Sequence, residues 1–384
     1  MMKTFGTYLL AAMLAIVPAC TYPFEADMKD SDDVFIIEGS ITIGSYSNIS
    51  VSKIIKQGEV EPGPVPAFTV KLESKDGDVI EATGKNPYLL DTRNLSPDKK
   101  YRLRLTSAAD NSVFTTDWTE VLGSPEVDNL KYEIEGNTIK VKISLHSDDN
   151  PYFCISYDEQ WEYDAWVWTD YIYNTSIKEV THGIYPYYTC WGQTDATKST
   201  TISAEAYIDN KLIDYPVVSM YNTERKISKL YKIILKASLI PEESYRYWQN
   251  LDKISKPDGD LFSPIPSSMR GNIYIEGHPK KQVLGYIGFA AAKELELYID
   301  NSETNFYKPP YDYINYILSD KKESAIDRAE YMDLYARGYW PFDCIIMPIG
   351  LEGVVVGYIW VNQECVDCRR QGGTTQKPAN WGKD

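Results

Sequence analysis

Apolar and polar residues alternate over short stretches near the start of the chain, which is the pattern of β-strands. The alternation is clear in residues 68–72 and 101–105, and residues 34–44 are rich in β-branched side chains. Asp76-Gly77 follows the first of these runs and is a hairpin signal. Short strands with turns at this spacing predict an immunoglobulin-like or fibronectin-like β-sandwich over residues 34–122.

A second set of strand patterns follows this segment. The runs on either side of Gly136-Asn137 both alternate, which predicts a β-hairpin. Further strand-like runs lie at 229–235, 283–289, 295–299 and 354–360.

Two segments predict helices instead. One begins at Pro241, a favoured first helical position, and places Tyr245 and Trp248 on one face. The other covers about 321–337 and ends at Gly338, a typical residue after a helix. Residues 123–364 are therefore predicted to form a larger β-rich domain with a few helices. The whole chain is predicted to be mainly β, as a β-rich α+β fold.

The first residues have the pattern of an export signal. Lys3 supplies a positive charge, and residues 8–17 form an apolar run that is too short to span a bilayer, which takes about 20 apolar residues. The run leads to Val17-Pro18-Ala19-Cys20, which resembles a bacterial lipobox. We expect residues 1–19 to be a lipoprotein signal peptide and Cys20 to carry the lipid. An ordinary signal peptide with a chance cysteine is the alternative.

The segment after this cysteine is polar and acidic. Residues 20–33 are predicted to form a tether between the lipid and the fold. Acidic residues soon after a lipidated cysteine also resemble a signal that sends lipoproteins to the cell surface. The predicted location is the outer membrane, facing the exterior.

Charge and motif content limit the possible functions. Asp and Glu number 55 against 39 Lys and Arg, and the net charge of −16 repels phosphate backbones, so a nucleic-acid partner is not expected. The nucleophile elbow GxSxG, the zinc motif HExxH and the phosphate loop are absent from the sequence. Asp258-Gly259-Asp260 is interpreted as a turn, since a calcium loop needs more ligands at fixed spacing. We predict a protein that is not an enzyme and has no catalytic residues, metal or cofactor.

Aromatic residues are unusually dense, with 31 Tyr and 9 Trp against 10 Phe. One run carries rings at mostly even spacing, so strand alternation predicts that Trp166 and Trp168 share a face. Such a face is either a stacking platform for a sugar, peptide or other planar ligand, or cross-strand packing inside a sheet. The candidate binding face consists of Trp161, Tyr163, Trp166, Trp168, Tyr171 and Tyr173.

Five cysteines follow the predicted lipidation site: Cys154, Cys190, Cys344, Cys365 and Cys368. The last two form a CxxC motif, which suits a redox centre, half of a zinc site or a structural disulfide. Zinc needs four ligands, and the sequence has neither a second CxxC nor a paired His motif. A redox centre needs a βαβ context, which this β-rich pattern lacks. A disulfide that holds the C-terminal tail, residues 365–384, to the rest of the chain is the favoured interpretation.

Several short motifs occur in a characteristic order along the chain. They are Cys190-Trp191, Glu224-Arg225-Lys226-Ile227, Tyr245 with Trp248, residues 259–266, Gly271-Asn272-Ile273, Val283-Leu284-Gly285-Tyr286, Cys365 with Cys368, Gly372-Gly373, and Lys377-Pro378 with Trp381. Together they resemble the domain-of-unknown-function family 4249 of Bacteroidota lipoproteins, and the resemblance runs from the lipobox to the last residues.

This resemblance implies an outer-membrane lipoprotein that is commonly encoded beside a TonB-dependent receptor. It implies no activity and supplies no catalytic residues. We expect Cys190 to be bridged to Cys365 or Cys368. The predicted function is a non-enzymatic accessory or ligand-binding partner of a TonB-dependent uptake receptor. The alternatives are a structural or envelope-assembly lipoprotein without a small ligand, and a hydrolase with an unrecognised carboxylate pair.

Overall fold

The structure is a computed structural model that describes most of the chain after the acidic segment. The described residues are 34–54, 63–194, 197–255, 271–278, 281–309, 315, 318–349, 352–379 and 381–382. The predicted signal peptide, Cys20, the acidic tether and the Asp258-Gly259-Asp260 turn lie outside them.

Strands dominate the described residues. In the first part of the chain they are β1 (Phe35–Ile43), β2 (Tyr46–Lys53), β3 (Phe68–Ser74), β4 (Val79–Glu81), β5 (Tyr88–Asp91), β6 (Lys100–Ser107), β7 (Val113–Thr116), β8 (Thr119–Glu120), β9 (Glu126–Glu135), β10 (Thr138–His146) and β11 (Tyr152–Asp164). The later strands are β12 (Tyr171–Asn174), β13 (Glu179–His182), β14 (Thr189–Gln193), β15 (Lys198–Ser203), β16 (Leu212–Tyr221), β17 (Leu230–Leu239), β18 (Ile273–Ile275), β19 (Ile287–Asp300), β20 (Lys322–Ala325), β21 (Tyr339–Ile349) and β22 (Glu352–Asn362).

Helices are short and few by comparison. They are α1 (Glu242–Ser255), α2 (Asn301–Thr304), α3 (Arg328–Ala336) and α4 (Gln363–Val366), with 3-10 turns at Ile208–Asn210, Arg225–Ile227 and Cys368–Gln371. The predicted β-rich α+β class is confirmed. The helix predicted from Pro241 is α1, and the predicted hairpin at Gly136 joins β9 to β10.

An eight-stranded sheet, called the central sheet below, organises the molecule. Its strand order is β14-β11-β17-β19-β1-β2-β5, and β15 pairs with the first half of β11. The pairing of β1 with β19 is parallel and places Ile41 opposite Phe289, although the two residues are far apart in sequence. β19 pairs with β1 through its first residues and with β17 through the rest, so it joins the two parts of the sheet.

One face of the central sheet, the core face, is apolar. Because side chains alternate along a strand, Ile41, Ile155, Leu235 and Phe289 all point to it, and all four are buried. The part of this face on β1 and β19 packs against the six-stranded sheet β18-β7-β6-β3-β4, on which β8 also pairs with β6. The part on β11 and β17 packs against the three-stranded sheet β16-β10-β9.

The β-sandwich predicted for residues 34–122 contains strands from later in the chain as well. β18 pairs with β7, and β19 pairs with β1. Residues of β18 and β19 belong to the same apolar cluster as Val70 and Leu103. Strands from both predicted domains therefore share sheets, and the described residues from Phe35 onward form one compact unit.

The C-terminal sheet β20-β22-β21 corrects the second helix prediction. Residues Lys322–Ala325 form β20, which pairs with β22, so tertiary strand pairing overrides local helix propensity there. The helix begins only at Arg328, where the side chain of Asp327 accepts a hydrogen bond from the backbone N–H of Ala329 at 3.0 Å.

Candidate functional site

A groove lies on the second face of the central sheet, opposite the core face. Alternation directs the even-numbered residues of β1, β11, β17 and β19 to this side, called the groove face below. The groove has a volume of about 660 Å³, and α1 forms one wall. Small or hydroxyl-bearing residues of the four strands form its floor: Ser40, Thr42, Ser156, Ser238, Gly288 and Ala290.

Small residues of neighbouring strands line the groove. Gly288 on β19 pairs with Ser40 on β1. A Cβ atom at Gly288 would lie 3.7 Å from Oγ of Ser40, which is an ordinary van der Waals contact. A larger side chain at this position therefore fits the strand backbone, but it would occupy the groove.

Helix α1 is held over the sheet by aromatic and polar contacts. The ring of Tyr247 stacks on Tyr286 with centroids 5.0 Å apart. Further along the helix, Nε2 of Gln249 donates a hydrogen bond to the carbonyl oxygen of Thr201 in β15 at 3.3 Å. These contacts hold the half-buried Trp248 in the lining of the groove.

Charged side chains of both signs line the groove. Asp158 accepts a hydrogen bond from Oγ1 of Thr197 at 2.7 Å, and Nζ of Lys236 lies 3.5 Å from Oε2 of Glu294. Asp252 adds a second carboxylate from α1. The other polar groups of the floor are hydroxyls, each of which both donates and accepts hydrogen bonds. The groove therefore offers many neutral hydrogen-bonding groups and no strong field of one sign.

The thiol of Cys154 also lines the groove. Burial raises the pKa of Cys154 to about 11, so the group is a thiol at neutral pH and a weak nucleophile. In the described part of the chain, no group of three or more His, Cys, Asp or Glu side chains is placed to hold a metal ion.

The predicted aromatic run is interrupted rather than continuous. β11 ends at Asp164, and residues 165–170 lie outside the strands, so strand alternation does not apply to Trp166 and Trp168. The expectation that these two rings share a strand face is therefore wrong. Trp168 exposes 43% of its surface, whereas Tyr163 is buried.

Two of the six rings contact the guanidinium group of Arg225, which belongs to the Glu224-Arg225-Lys226-Ile227 motif. The guanidinium carbon of Arg225 lies 4.4 Å from the ring centroid of Tyr163 and 4.0 Å from that of Trp166. The same guanidinium donates to the carbonyl oxygen of Asp164. Cation–π contacts of this kind stabilise the fold, and they engage both rings inside the molecule.

Three of the other four rings, those of Trp161, Tyr171 and Tyr173, pack against neighbouring residues of the fold. Trp161 lies opposite Gly192, where a Cβ atom would collide with the indole. Tyr173 packs 5.9 Å from Trp360, and Tyr171 packs 5.5 Å from Tyr358, measured between ring centroids. The contacts of Tyr171 and Tyr173 join β12 to β22, a strand of a different sheet, so these two rings pack between sheets rather than across neighbouring strands. A binding platform made of all six residues stays a prediction.

A buried carboxylate on β11, that of Glu159, binds Lys226 of the Glu224-Arg225-Lys226-Ile227 motif. Glu159 is 2% exposed, and it accepts hydrogen bonds from Lys226 at 2.6 Å, from Lys198 at 2.8 Å and from the hydroxyl of Tyr231 at 2.8 Å. Burial alone would raise the pKa of Glu159, but hydrogen bonds from Lys198 and Lys226 outweigh it and lower the pKa. The carboxylate is therefore ionised at neutral pH.

A disulfide between Cys190 and Cys368 fixes the tail, which confirms one of the two predicted pairings. The half-cystines are 178 residues apart in sequence, and the backbone of Trp191 pairs with Thr374 beside them. Cys365 is a buried free thiol whose pKa is raised by burial to about 12. Cys154 and Cys344 are also free thiols.

Two of the ordered motifs fix the parallel pairing of β1 with β19. The side chain of Asn272 donates to the carbonyl oxygen of Ile287 at 2.7 Å and accepts from its N–H at 2.9 Å. Gly285 has a φ of +95°, and a Cβ there would collide with the backbone of Ile37. These residues therefore stabilise the sheet that carries the groove. The motif at 259–266 lies outside the described residues.

The groove itself was not predicted from the sequence. The available signal was the identity of alternate residues, since Ser40, Ser156, Ser238 and Gly288 all stand at polar positions of strand patterns. Short polar side chains are equally common on a solvated sheet face, so only the position of α1 distinguishes the two cases.

The N-terminal anchor prediction concerns Cys20, which lies outside the described residues. None of the helices in the described part of the chain has the length and apolar character needed to cross a membrane.

Comparison with known proteins gives a family but no function. No curated protein matches the chain. The family model entitled domain of unknown function (DUF4249) matches residues 21–296, which is most of the chain, and the protein therefore belongs to that family.

Proposed function

We propose that the protein is a lipid-anchored, surface-exposed lipoprotein of the outer membrane that serves a TonB-dependent uptake receptor as a non-enzymatic, ligand-binding partner. The groove on the central sheet is the proposed ligand site. The observation that supports this proposal is a cleft of about 660 Å³ with a polar floor and an aromatic wall.

The size and lining of the groove suit a bound ligand. Ligand sites are commonly clefts of about 300–1,000 Å³ in which a small number of placed polar groups orient the ligand. Here the polar groups come from four strands of one sheet, whose backbone hydrogen bonds hold them in fixed positions. Such a rigid floor reduces the entropy cost of binding.

The cellular role rests on the N-terminal sequence and the family. The lipobox at Cys20 supports a lipid anchor, and two acyl chains hold a protein stably at a membrane. The family resemblance supports a partnership with a TonB-dependent receptor. In this role the protein holds a ligand near the receptor mouth, where a tethered site has a high effective concentration.

Co-purification from outer membranes tests the proposal. Wild-type protein with a C-terminal tag is extracted in mild detergent, and its partners are identified by mass spectrometry. A Cys20→Ala variant, expressed at the same level, is the control for chance association in the extract. We expect a TonB-dependent receptor to be enriched with the wild type over the control. Recovery of wild type without such a receptor contradicts the role in uptake.

A further inference from the structure

We propose that the groove binds a neutral, polyhydroxylated ligand, a short uncharged oligosaccharide, and this proposal rests on the groove being the ligand site of the proposed function. The inference names a chemical class that neither the family nor any motif specifies. It follows from the chemistry of the floor, the wall and the charges of the groove.

The floor matches the hydrogen-bonding chemistry of sugars. A sugar hydroxyl is at once a donor and an acceptor, and so is the hydroxyl of each serine or threonine in the floor. Ser40, Ser156 and Ser238 stand on three strands of one sheet, and Ser199 and Thr201 add hydroxyls from β15. A ligand with hydroxyls on several carbons finds partners along this surface without any charged group.

The wall supplies an apolar surface beside these hydroxyls. Trp248 of α1 is half-buried in the lining, and Tyr46 of β2 lines the groove and is 49% exposed. A pyranose ring has a face of C–H groups that packs against an aromatic ring, while its hydroxyls point outward. An indole next to a hydroxyl-rich floor therefore recognises both surfaces of a sugar.

The charges argue against an ionic ligand. The chain has a net charge of −16, and Asp158 and Asp252 line the groove, so an acidic polymer is repelled. Lys236 also lies in the lining, 3.5 Å from Glu294, so the described lining has charges of both signs and no cluster of one sign that would select an ionic ligand. The hydroxyl-bearing floor also disfavours an acyl chain, because its polar groups would lose water without gaining hydrogen bonds.

The dimensions set the length of the ligand. A volume of about 660 Å³ accommodates about two or three sugar rings, within the common size range of ligand clefts. Gly288 lines the groove, and a Cβ atom there would make only ordinary contact with Ser40. A larger side chain there should therefore block a sugar ring while leaving the strands intact.

Binding of defined oligosaccharides to the purified protein tests the inference. The probes are neutral di-, tri- and tetrasaccharides, with uronate and sulfated oligosaccharides and short peptides as comparison ligands. Melting temperature and tryptophan fluorescence report binding. The variants are Gly288→Leu, which fills the groove, and Trp248→Ala, which removes the indole. Gly63→Leu is the control, because a Cβ there meets no atom within 4 Å and Gly63 does not line the groove.

We expect at least one neutral oligosaccharide to bind the wild type and the Gly63→Leu control alike. Gly288→Leu should weaken this binding at least about tenfold, which is about 1.4 kcal/mol, while its melting temperature without ligand stays near that of wild type. Trp248→Ala should weaken it as well. Binding only of charged probes or peptides, binding of no probe, or unchanged binding by Gly288→Leu would overturn the inference.

The receptor experiment separates this inference from the proposed function. Enrichment of a receptor without oligosaccharide binding refutes the ligand class alone. Oligosaccharide binding without a receptor refutes the role in uptake and leaves the ligand class standing.

Discussion

The ammonium nitrogen of Lys226 lies 2.6 Å from Oε1 of Glu159, a side chain that is 2% exposed. This ion pair joins the 3-10 turn Arg225–Ile227 to the centre of β11. The neighbouring Arg225 contacts Tyr163 of the same strand through its ring face. Two adjacent basic residues of the Glu224-Arg225-Lys226-Ile227 motif therefore both hold this turn against β11.

Replacing this carboxylate should destabilise the fold strongly. Glu159→Gln removes the nearer of the two carboxylates that Lys226 contacts and leaves it only that of Glu224 at 3.5 Å. Breaking a buried pair costs about 3–5 kcal/mol in the free energy of unfolding. Urea unfolding at neutral pH measures the loss. Glu242→Gln is the control, since Glu242 forms an exposed pair with Arg246 and should cost less than about 1 kcal/mol. Equal losses for the two variants would contradict the importance of burial.

The same pair predicts a pH dependence with a defined sign. The folded state lowers the pKa of Glu159 below its ordinary value of 4.5, so the folded state favours the ionised form. Its contribution to stability is complete above the ordinary pKa and is lost as the pH falls below it. The difference in unfolding free energy between wild type and Glu159→Gln should therefore shrink on acidification. A difference that grows at acidic pH is inconsistent with a lowered pKa.

Loss of the disulfide should lower stability more than loss of a free thiol. Cys190 and Cys368 close a chain segment of 178 residues, which predicts a stabilisation of about 3–5 kcal/mol. Thermal melts of Cys190→Ser and Cys344→Ser under oxidising conditions measure the difference. A reductant should lower the melting temperature of wild type and leave that of Cys190→Ser unchanged. Equal melting temperatures for the two variants would refute a stabilising bridge.

The aromatic run should divide into stabilising and dispensable rings. Tyr173 is 5% exposed, and its truncation to alanine should cost about 3–5 kcal/mol. Trp168 is 43% exposed, and Trp168→Ala should cost less than about 1 kcal/mol. Chemical denaturation of the two variants measures both values. Two equally destabilised variants would mean that Trp168 is packed as tightly as Tyr173.

The lipid anchor is tested by fractionation of cells. Cys20→Ala removes the predicted acylation site, so the protein should move from the membrane to the soluble fraction. Immunoblots of washed membranes measure the distribution, with Cys344→Ser as a control that keeps the lipobox. Continued sedimentation of Cys20→Ala after a high-salt wash would show that something other than the lipid holds the protein.

The sequence was most informative where local signals decide the structure. Alternation identified β3 and β6, and Gly136 marked the hairpin between β9 and β10. The parallel partner of β1, which is β19, was beyond prediction because its pairing depends on contacts distant along the chain. The local pattern of residues Lys322–Ala325 predicts a helix, but pairing with β22 makes them a strand.

The candidate site was harder to predict than the fold. A serine at position 40 or 238 has no distinctive chemistry until four strands and α1 bring such residues together. Closely spaced tyrosines and tryptophans are typical of a binding face, yet Tyr163 and Trp166 contact Arg225 inside the molecule. The family resemblance implies a bridge from Cys190 to Cys365 or Cys368. Only the fold shows that the partner is Cys368.

The most direct test of the groove as a ligand site uses the wild-type protein and its own thiols. Cys154 lines the groove, whereas Cys344 lies outside it on β21, and both side chains are half-buried. The rate at which a small thiol reagent modifies each cysteine is measured at mildly alkaline pH, with and without neutral oligosaccharides. Occupation of the groove should slow modification of Cys154 several-fold and leave Cys344 unchanged. An oligosaccharide that binds the protein without slowing Cys154, or that slows both thiols equally, would contradict binding in the groove.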